Sequence, residues 1–153
     1  MGRLISLLRF SPDYEDRFEV AISPMDARTA EQWLRAVFED APRPLRWFLL
    51  LGWRGVLGLR LGPRSSPACI LGWWIASKRP EEVCLELHSP LMRAQLTLHL
   101  ASSVAVWRTY VLYMHPLARL LWAVAGVIHR RMVPFLLRRA ASFPQPAAPS
   151  HTD

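Results

Sequence analysis

Two alternating runs and one β-branched, aromatic run between residues 82 and 114 constrain this chain more than anything else in it. Val83, Leu85 and Leu87 alternate with Glu82, Cys84, Glu86 and His88. Leu96, Leu98 and Leu100 alternate with Gln95, Thr97 and His99. Val104–Met114 is β-branched and aromatic, and Arg108 marks its outer face, so Ala105, Trp107, Thr109, Val111 and Tyr113 face inward. A period of two puts one side of each run in a core and the other toward water. Ser89-Pro90 and Ala101–Ser103 are short turns between the runs, and short turns force antiparallel neighbours. The region therefore folds as a meander with one greasy face that something else must cover.

The flanks supply the cover. Asp16–Ile22 alternates, with Phe18, Val20 and Ile22 on one side, and reads as a first strand ended by Pro24. Thr29 and Gln32 form a capping box, and Trp33, Leu34, Val37 and Phe38 then share one helical face. Pro42 breaks that helix and Pro44 suits the first turn of a second. The second helix has Leu45, Phe48, Leu49 and Val56 as its stripe, with Gly52 on the same face, and Gly58 or Gly62 as its stop. After the loop Gly62–Pro67, Ile70–Ser77 is one further strand, with Trp73 and Trp74 on opposite faces. Pro116 opens a long helix to about Ala141. Leu117, Leu120, Leu121, Val124, Ile128 and Met132 form its expected packing face, with Arg119, Ala123, Gly126 and Arg130 opposite. Pro134 is expected to kink this helix or end its first segment. One domain is expected over residues 14–141, with a flexible leader over 1–13 and a disordered Pro- and Ala-rich tail over 142–153. Met1-Gly2 with Ser6 fits the myristoylation pattern, which is too short and common to carry weight.

Composition removes several classes. Hydrophobic residues are 52% of the chain and charged residues 20%, so it collapses rather than staying unfolded. Its longest stretch without Asp, Glu, Lys or Arg is Ala94–Trp107, shorter than the ~20 residues of a bilayer crossing, so a polytopic membrane protein is not expected. Of the 19 basic residues only Lys78 is lysine. Residues 1–86 carry 12 basic and 11 acidic groups, whereas residues 87–152 carry seven arginines and no acid. Such a half suits an anionic lipid, an acidic partner or plain solvent. Nucleic acid is not expected, since no stacking motif or recognition helix accompanies the charge. Cys69 and Cys84 have no metal-type spacing and read as two buried free thiols of a cytoplasmic chain.

The order strand, two short helices, meander, long closing helix is that of the α+β helix-grip fold, in which a curved antiparallel sheet wraps the last helix. Asp16–Ile22, the segment Glu31-Gln32-Trp33-Leu34-Arg35-Ala36-Val37-Phe38 and above all Ile128-His129-Arg130-Arg131-Met132-Val133-Pro134-Phe135-Leu136-Leu137-Arg138-Arg139-Ala140 resemble a bacterial family of START-like domains of unknown function. That family lies within the SRPBCC superfamily of lipid-binding and polyketide-cyclase-type proteins. The resemblance covers about four-fifths of the chain, Tyr14–Arg139. It implies a cavity for an apolar small molecule or lipid and carries over no catalytic residue and no cofactor. The residues alone point the same way, because a bent sheet closed by one helix leaves volume that side chains or a ligand must fill. The candidate lining is Trp73, Leu85, Leu96, Leu98, Trp107, Val111 and Tyr113 from the sheet, with Leu120, Leu121, Val124 and Ile128 from the helix.

Catalytic constellations are scarce. There is no G-x-S-x-G, HExxH, CxxC or Gly-rich phosphate loop, and no metal ligand set is expected. His129, beside Arg130 and Arg131, reads as a cap or surface group, and His99 as solvent-facing. A polyketide-cyclase or aromatase reading, the alternative to simple binding, would need Tyr110, Tyr113 or His99 inside the cavity. A second alternative is a membrane-peripheral or oligomerising protein, in which Arg130, Arg131, Arg138 and Arg139 flank an apolar helix end against anionic lipid.

Overall fold

The computed structural model describes residues 11–63 and 66–146. Strand β1 (Tyr14–Ala21) leads into α1 (Ala30–Phe38) and α2 (Arg43–Leu51), and α2 runs on into a single π-type turn, Gly52–Val56. Strands β2 (Cys69–Ile70), β3 (Trp73–Arg79), β4 (Glu82–His88), β5 (Met92–Leu100) and β6 (Val104–Tyr113) follow, and α3 (Pro116–Ala141) closes the fold. The strands form one antiparallel sheet in the order β1-β6-β5-β4-β3-β2. The fold is α+β: a curved open sheet with a long C-terminal helix and short helices after the first strand, as in helix-grip proteins.

Local chemistry explains most boundaries. Thr29 Oγ1 accepts from the Gln32 N–H while the Gln32 side chain accepts from the Thr29 N–H, so the expected capping box starts α1. Trp33, Leu34, Val37 and Phe38 are all buried beneath it. The strand expected over Ile70–Ser77 is instead two strands, because Leu71 (φ 45°) and Gly72 (φ 89°) both take left-handed backbone and form a two-residue hairpin turn. Trp73 is then buried and Trp74 exposed, on opposite faces as expected. Ser89 Oγ accepts from the N–H groups of Leu91 and Met92 and fixes the β4–β5 turn.

The long helix differs from expectation in two ways. It runs through Pro134 without ending, although the ring removes one N–H from its ladder. Of its expected packing face only Leu121 and Met132 pack, half-buried, against the core. Ala118, Trp122, Gly126, Val133, Leu136, Leu137 and Ala140 are the buried residues. Leu117, Leu120, Val124 and Ile128 are between 43% and 66% exposed. Ala118, Trp122 and Gly126 lie on the other side of the helix from Leu120 and Val124, so the larger aliphatics are left outside the contact with β1. In α2 likewise only Leu49 is buried, and Phe48 and Val56 of the expected stripe stand half in solvent. By length and composition α3 is apolar enough to cross a membrane, with 28% of its most apolar window buried in the fold.

The far end of α3 is pinned. Arg28 pairs with Asp26 at 2.7 Å, both side chains almost wholly buried, and donates to the Ala140 carbonyl at 2.9 Å. Its guanidinium also stacks 4.5 Å from the Trp33 ring. At the described ends, Asp13 Oδ2 accepts from the Tyr113 N–H and the Gln145 carbonyl from the Ala27 N–H. Residues 1–10 of the expected leader, with the myristoylation pattern at Met1-Gly2, and 147–153 of the expected tail lie outside the described residues. Cys69 and Cys84 are buried free thiols, and burial pushes the Cys84 thiol up to about 11.

Candidate functional site

Between the inner face of the sheet, α2 with its π-type turn, and the first half of α3 lies a cavity of about 460 Å³. Its size suits a drug-sized apolar molecule. Apart from tryptophan indoles, its described lining side chains are apolar save Thr109 and His129. Of the candidate lining residues, Trp73, Leu96, Trp107 and Val111 line it from the sheet, and Leu120, Leu121, Val124 and Ile128 from α3. Leu85, Leu98 and Tyr113 do not. Leu85 and Leu98 are fully buried in strands that α1 covers, so they pack against protein. Tyr113 sits at the end of β6, with the Arg119 guanidinium 6.0 Å from its ring.

Phe48, Leu51, Val56, Leu120, Val124 and Ile128 both line the cavity and stand exposed, so they form its rim. The incomplete packing of α2 and α3 described above is therefore the opening itself.

One corner is polar. His129 Nε2 lies 2.8 Å from Asp16 Oδ2 and 3.2 Å from Thr109 Oγ1. Tyr14 Oη donates to the same Asp16 oxygen at 2.7 Å, and Trp107 Nε1 donates to Thr109 Oγ1 at 2.8 Å. The β1–β6 register builds this corner: Asp16 is opposite Thr109 and Phe18 opposite Trp107, so all four face α3. The Trp122 and His129 rings are 5.4 Å apart, and the Tyr14 ring lies 5.1 Å from Trp122, which walls the corner with aromatic surface.

Burial pushes the Asp16 carboxyl up, but the hydrogen bond and charge of His129, with further bonds from Tyr14 and Thr109, hold it below the usual carboxylate range. The carboxylate is thus ionised near neutral pH, and the His129 Nε2–H donates to it. Burial, with the bond to Asp16, raises the Tyr14 phenol to about 12, so Tyr14 stays a donor. Asp16 Oδ1 is buried and has no partner among the described residues. His129 Nδ1 makes no hydrogen bond to a described residue, so it is the ring atom left for chemistry. An imidazole oriented by a carboxylate at an apolar wall can accept or donate a proton.

This corner departs from the sequence expectation. His129 is a cavity-wall group with 18% side-chain exposure, not a surface or capping residue. Its position explains why: it lies four residues from both Ala125 and Val133, on the face α3 turns toward the sheet. Asp16 also had a readable signal, being an acid in the same phase as Phe18 and Val20 on a strand whose inner face is apolar. The residues considered for an enzyme reading are elsewhere. His99 points out and faces Glu82 at 3.3 Å, Tyr110 lies on the outer phase opposite Glu15 and Gln95, and Tyr113 is outside the lining. Arg130, Arg131 and Arg138 are exposed and Arg139 half-buried, with Arg130 stacked 5.9 Å from the Tyr14 ring.

A wider groove of about 940 Å³ lies on α1, α2 and residues 66–71. Its walls hold the Glu31–Arg35–Glu39 ion pairs, so it is a solvated polar surface rather than a container. No group of three or more His, Cys, Asp or Glu that could hold a metal occurs among the described residues. No family model, curated protein or solved structure matches the chain.

Proposed function

We propose that the protein holds an apolar small molecule or a lipid chain in the cavity between the sheet, α2 and α3. One observation carries this reading: a cavity of about 460 Å³ walled by aliphatic and aromatic side chains, with its polar groups gathered at one corner. Burying apolar ligand surface there contributes ~25 cal/mol per Å² removed from water. The Asp16–His129–Thr109 corner would orient a ligand's single polar group. Kinship with START-like domains belongs to the same proposal, supported by the shared order of elements.

Native mass spectrometry and solvent extraction of the purified protein test it. A co-purifying apolar molecule is expected. Ala125→Trp places an indole in the cavity and should leave the circular dichroism unchanged while ligand, or the probe anilinonaphthalene sulfonate, no longer binds. A folded wild type that carries no such molecule and takes up no probe removes the proposal.

The polar corner favours a second reading, acid–base chemistry on the bound molecule. In it His129 Nδ1 takes or returns a proton, Asp16 steadies the imidazolium and Thr109 positions the ring. The two readings separate with His129→Asn: under simple binding the variant retains ligand unchanged in structure, whereas under chemistry the molecule recovered from the variant differs from that recovered from the wild type.

A further inference from the structure

We infer that the mouth of the cavity docks on an anionic lipid surface. The rim is apolar where a soluble surface is ordinarily polar: Leu51 is 70% exposed, Leu120 65% and Val124 66%. Contiguous exposed apolar surface of this kind marks a binding face. On α3 it forms a continuous stripe. Leu117, Leu120, Val124, Val127 or Ile128, Arg131 and Phe135 recur at steps of three and four, which keeps them on one side of a helix. Arg131 lies within that stripe. Arg119 and Arg130 flank it, and Arg54 stands exposed in the π-type turn of the other lip.

Charge chooses the occupant. No Asp or Glu occurs from residue 41 to residue 80, which includes α2 and its turn, or from residue 87 to residue 152, which includes all of α3. Both lips therefore carry arginines and nothing of opposite sign. A second copy docked mouth to mouth would set arginines against arginines around its apolar contact. An anionic bilayer satisfies both features at once: acyl chains take the rim side chains, and headgroups take the guanidinium groups, each contributing ~1 kcal/mol near the surface. The opening of the cavity would then face the phase in which apolar molecules reside. The inference does not depend on what the cavity holds.

Co-sedimentation of the full chain with phosphatidylcholine vesicles, with and without phosphatidylglycerol, tests this. Binding is expected only when phosphatidylglycerol is present, and it should weaken as salt rises. Val127→Asp and Arg131→Glu touch the stripe but not the cavity lining. Each should weaken vesicle binding by roughly fivefold or more, the equivalent of one lost arginine contact. Both should keep the wild-type circular dichroism and the wild-type uptake of anilinonaphthalene sulfonate, so a failure of docking is distinct from a failure of the cavity reading. Three results overturn the inference: no binding to phosphatidylglycerol vesicles; vesicle binding that falls with Arg131→Glu but is indifferent to Val127→Asp, which is charge attraction without insertion; or a dimer in light scattering that Val127→Asp dissociates, which assigns the stripe to a second copy.

Discussion

The two halves of α3 do different jobs with similar residues. In the second half Val133, Leu136, Leu137 and Ala140 are each no more than 4% exposed, and Arg28 holds the last turn through the Ala140 carbonyl. In the first half the large aliphatics stand at the mouth of a cavity, and Trp122 and His129 meet the sheet, at Tyr14 and at Asp16 and Thr109. Hydrophobicity is shared between the halves, and what separates them is whether a partner surface exists. The second half is the anchor, tightest at Leu137 and Ala140, although Val133 and Leu136 also line the cavity. The first is a wall and rim whose apolar surface is completed by nothing in the described protein.

The largest difference should come from cutting the anchor. Arg28→Ala leaves the Asp26 carboxylate buried without its counter-charge and frees the Ala140 carbonyl. Breaking such a pair costs ~3–5 kcal/mol. Urea unfolding of the variant should show that loss, with the slope unchanged. A loss below about 1 kcal/mol would mean that α3 is held by its apolar contacts alone. Next comes the packed face. Leu137→Ala, at 1% exposure, should cost ~2–5 kcal/mol, the usual range for a filled core site.

The polar corner ranks third. Asp16→Asn keeps the shape and can leave an amide oxygen facing the His129 Nε2–H, but it removes the carboxylate charge from that bond, and weakening a buried charge-assisted bond of this type costs ~1–3 kcal/mol. Its pH dependence has a defined sign. Asp16 and Asp26 both sit below the ordinary carboxylate range in the folded protein: burial opposes this, but His129 and Arg28 respectively outweigh it. Each carboxyl therefore binds a proton less readily folded than unfolded. Their contribution is complete above the unfolded value of ~4 and is lost as pH falls through the lower folded values. The urea midpoint should hold from neutral pH to about 5 and fall steeply below 4, with a shallower fall in Asp16→Asn. An acid limb identical in the two proteins would show that Asp16 is not a source of it.

Much of the architecture was legible because period-two and capping signals are local. Val83-Leu85-Leu87, Leu96-Leu98-Leu100 and the Thr29–Gln32 box each determine their element without help from distant residues. What failed were choices that depend on a partner far along the chain. The sequence puts the packing face of α3 on its largest aliphatics, but the buried face runs through Ala118, Trp122, Gly126 and Val133, and no local rule says which face meets β1. His129 looked like a surface group because its neighbours Arg130 and Arg131 are charged, while the Asp16 that buries it is over a hundred residues away. The left-handed pair Leu71-Gly72 was hidden because leucine rarely adopts that backbone, so the run from Ile70 read as one strand. Strand phase alone is enough to put Trp73, Leu96, Trp107 and Val111 on the cavity wall, but it does not show that α1 rather than a void lies in front of Leu85 and Leu98.

The smallest expected effect is the sharpest test of the contrast within α3. Val124→Ser removes two methyl groups from the same helix as Leu137→Ala, yet the side chain is 66% exposed at the rim. If the first half of α3 is a wall facing open space, the substitution should change unfolding free energy by no more than ~0.5 kcal/mol, as for an ordinary surface site. Vesicle binding, by contrast, should drop, because the rim loses apolar surface that would enter the bilayer. A destabilisation approaching that of Leu137→Ala would mean that Val124 is packed in solution, and the two halves of α3 would then be one continuous anchor with no mouth between them.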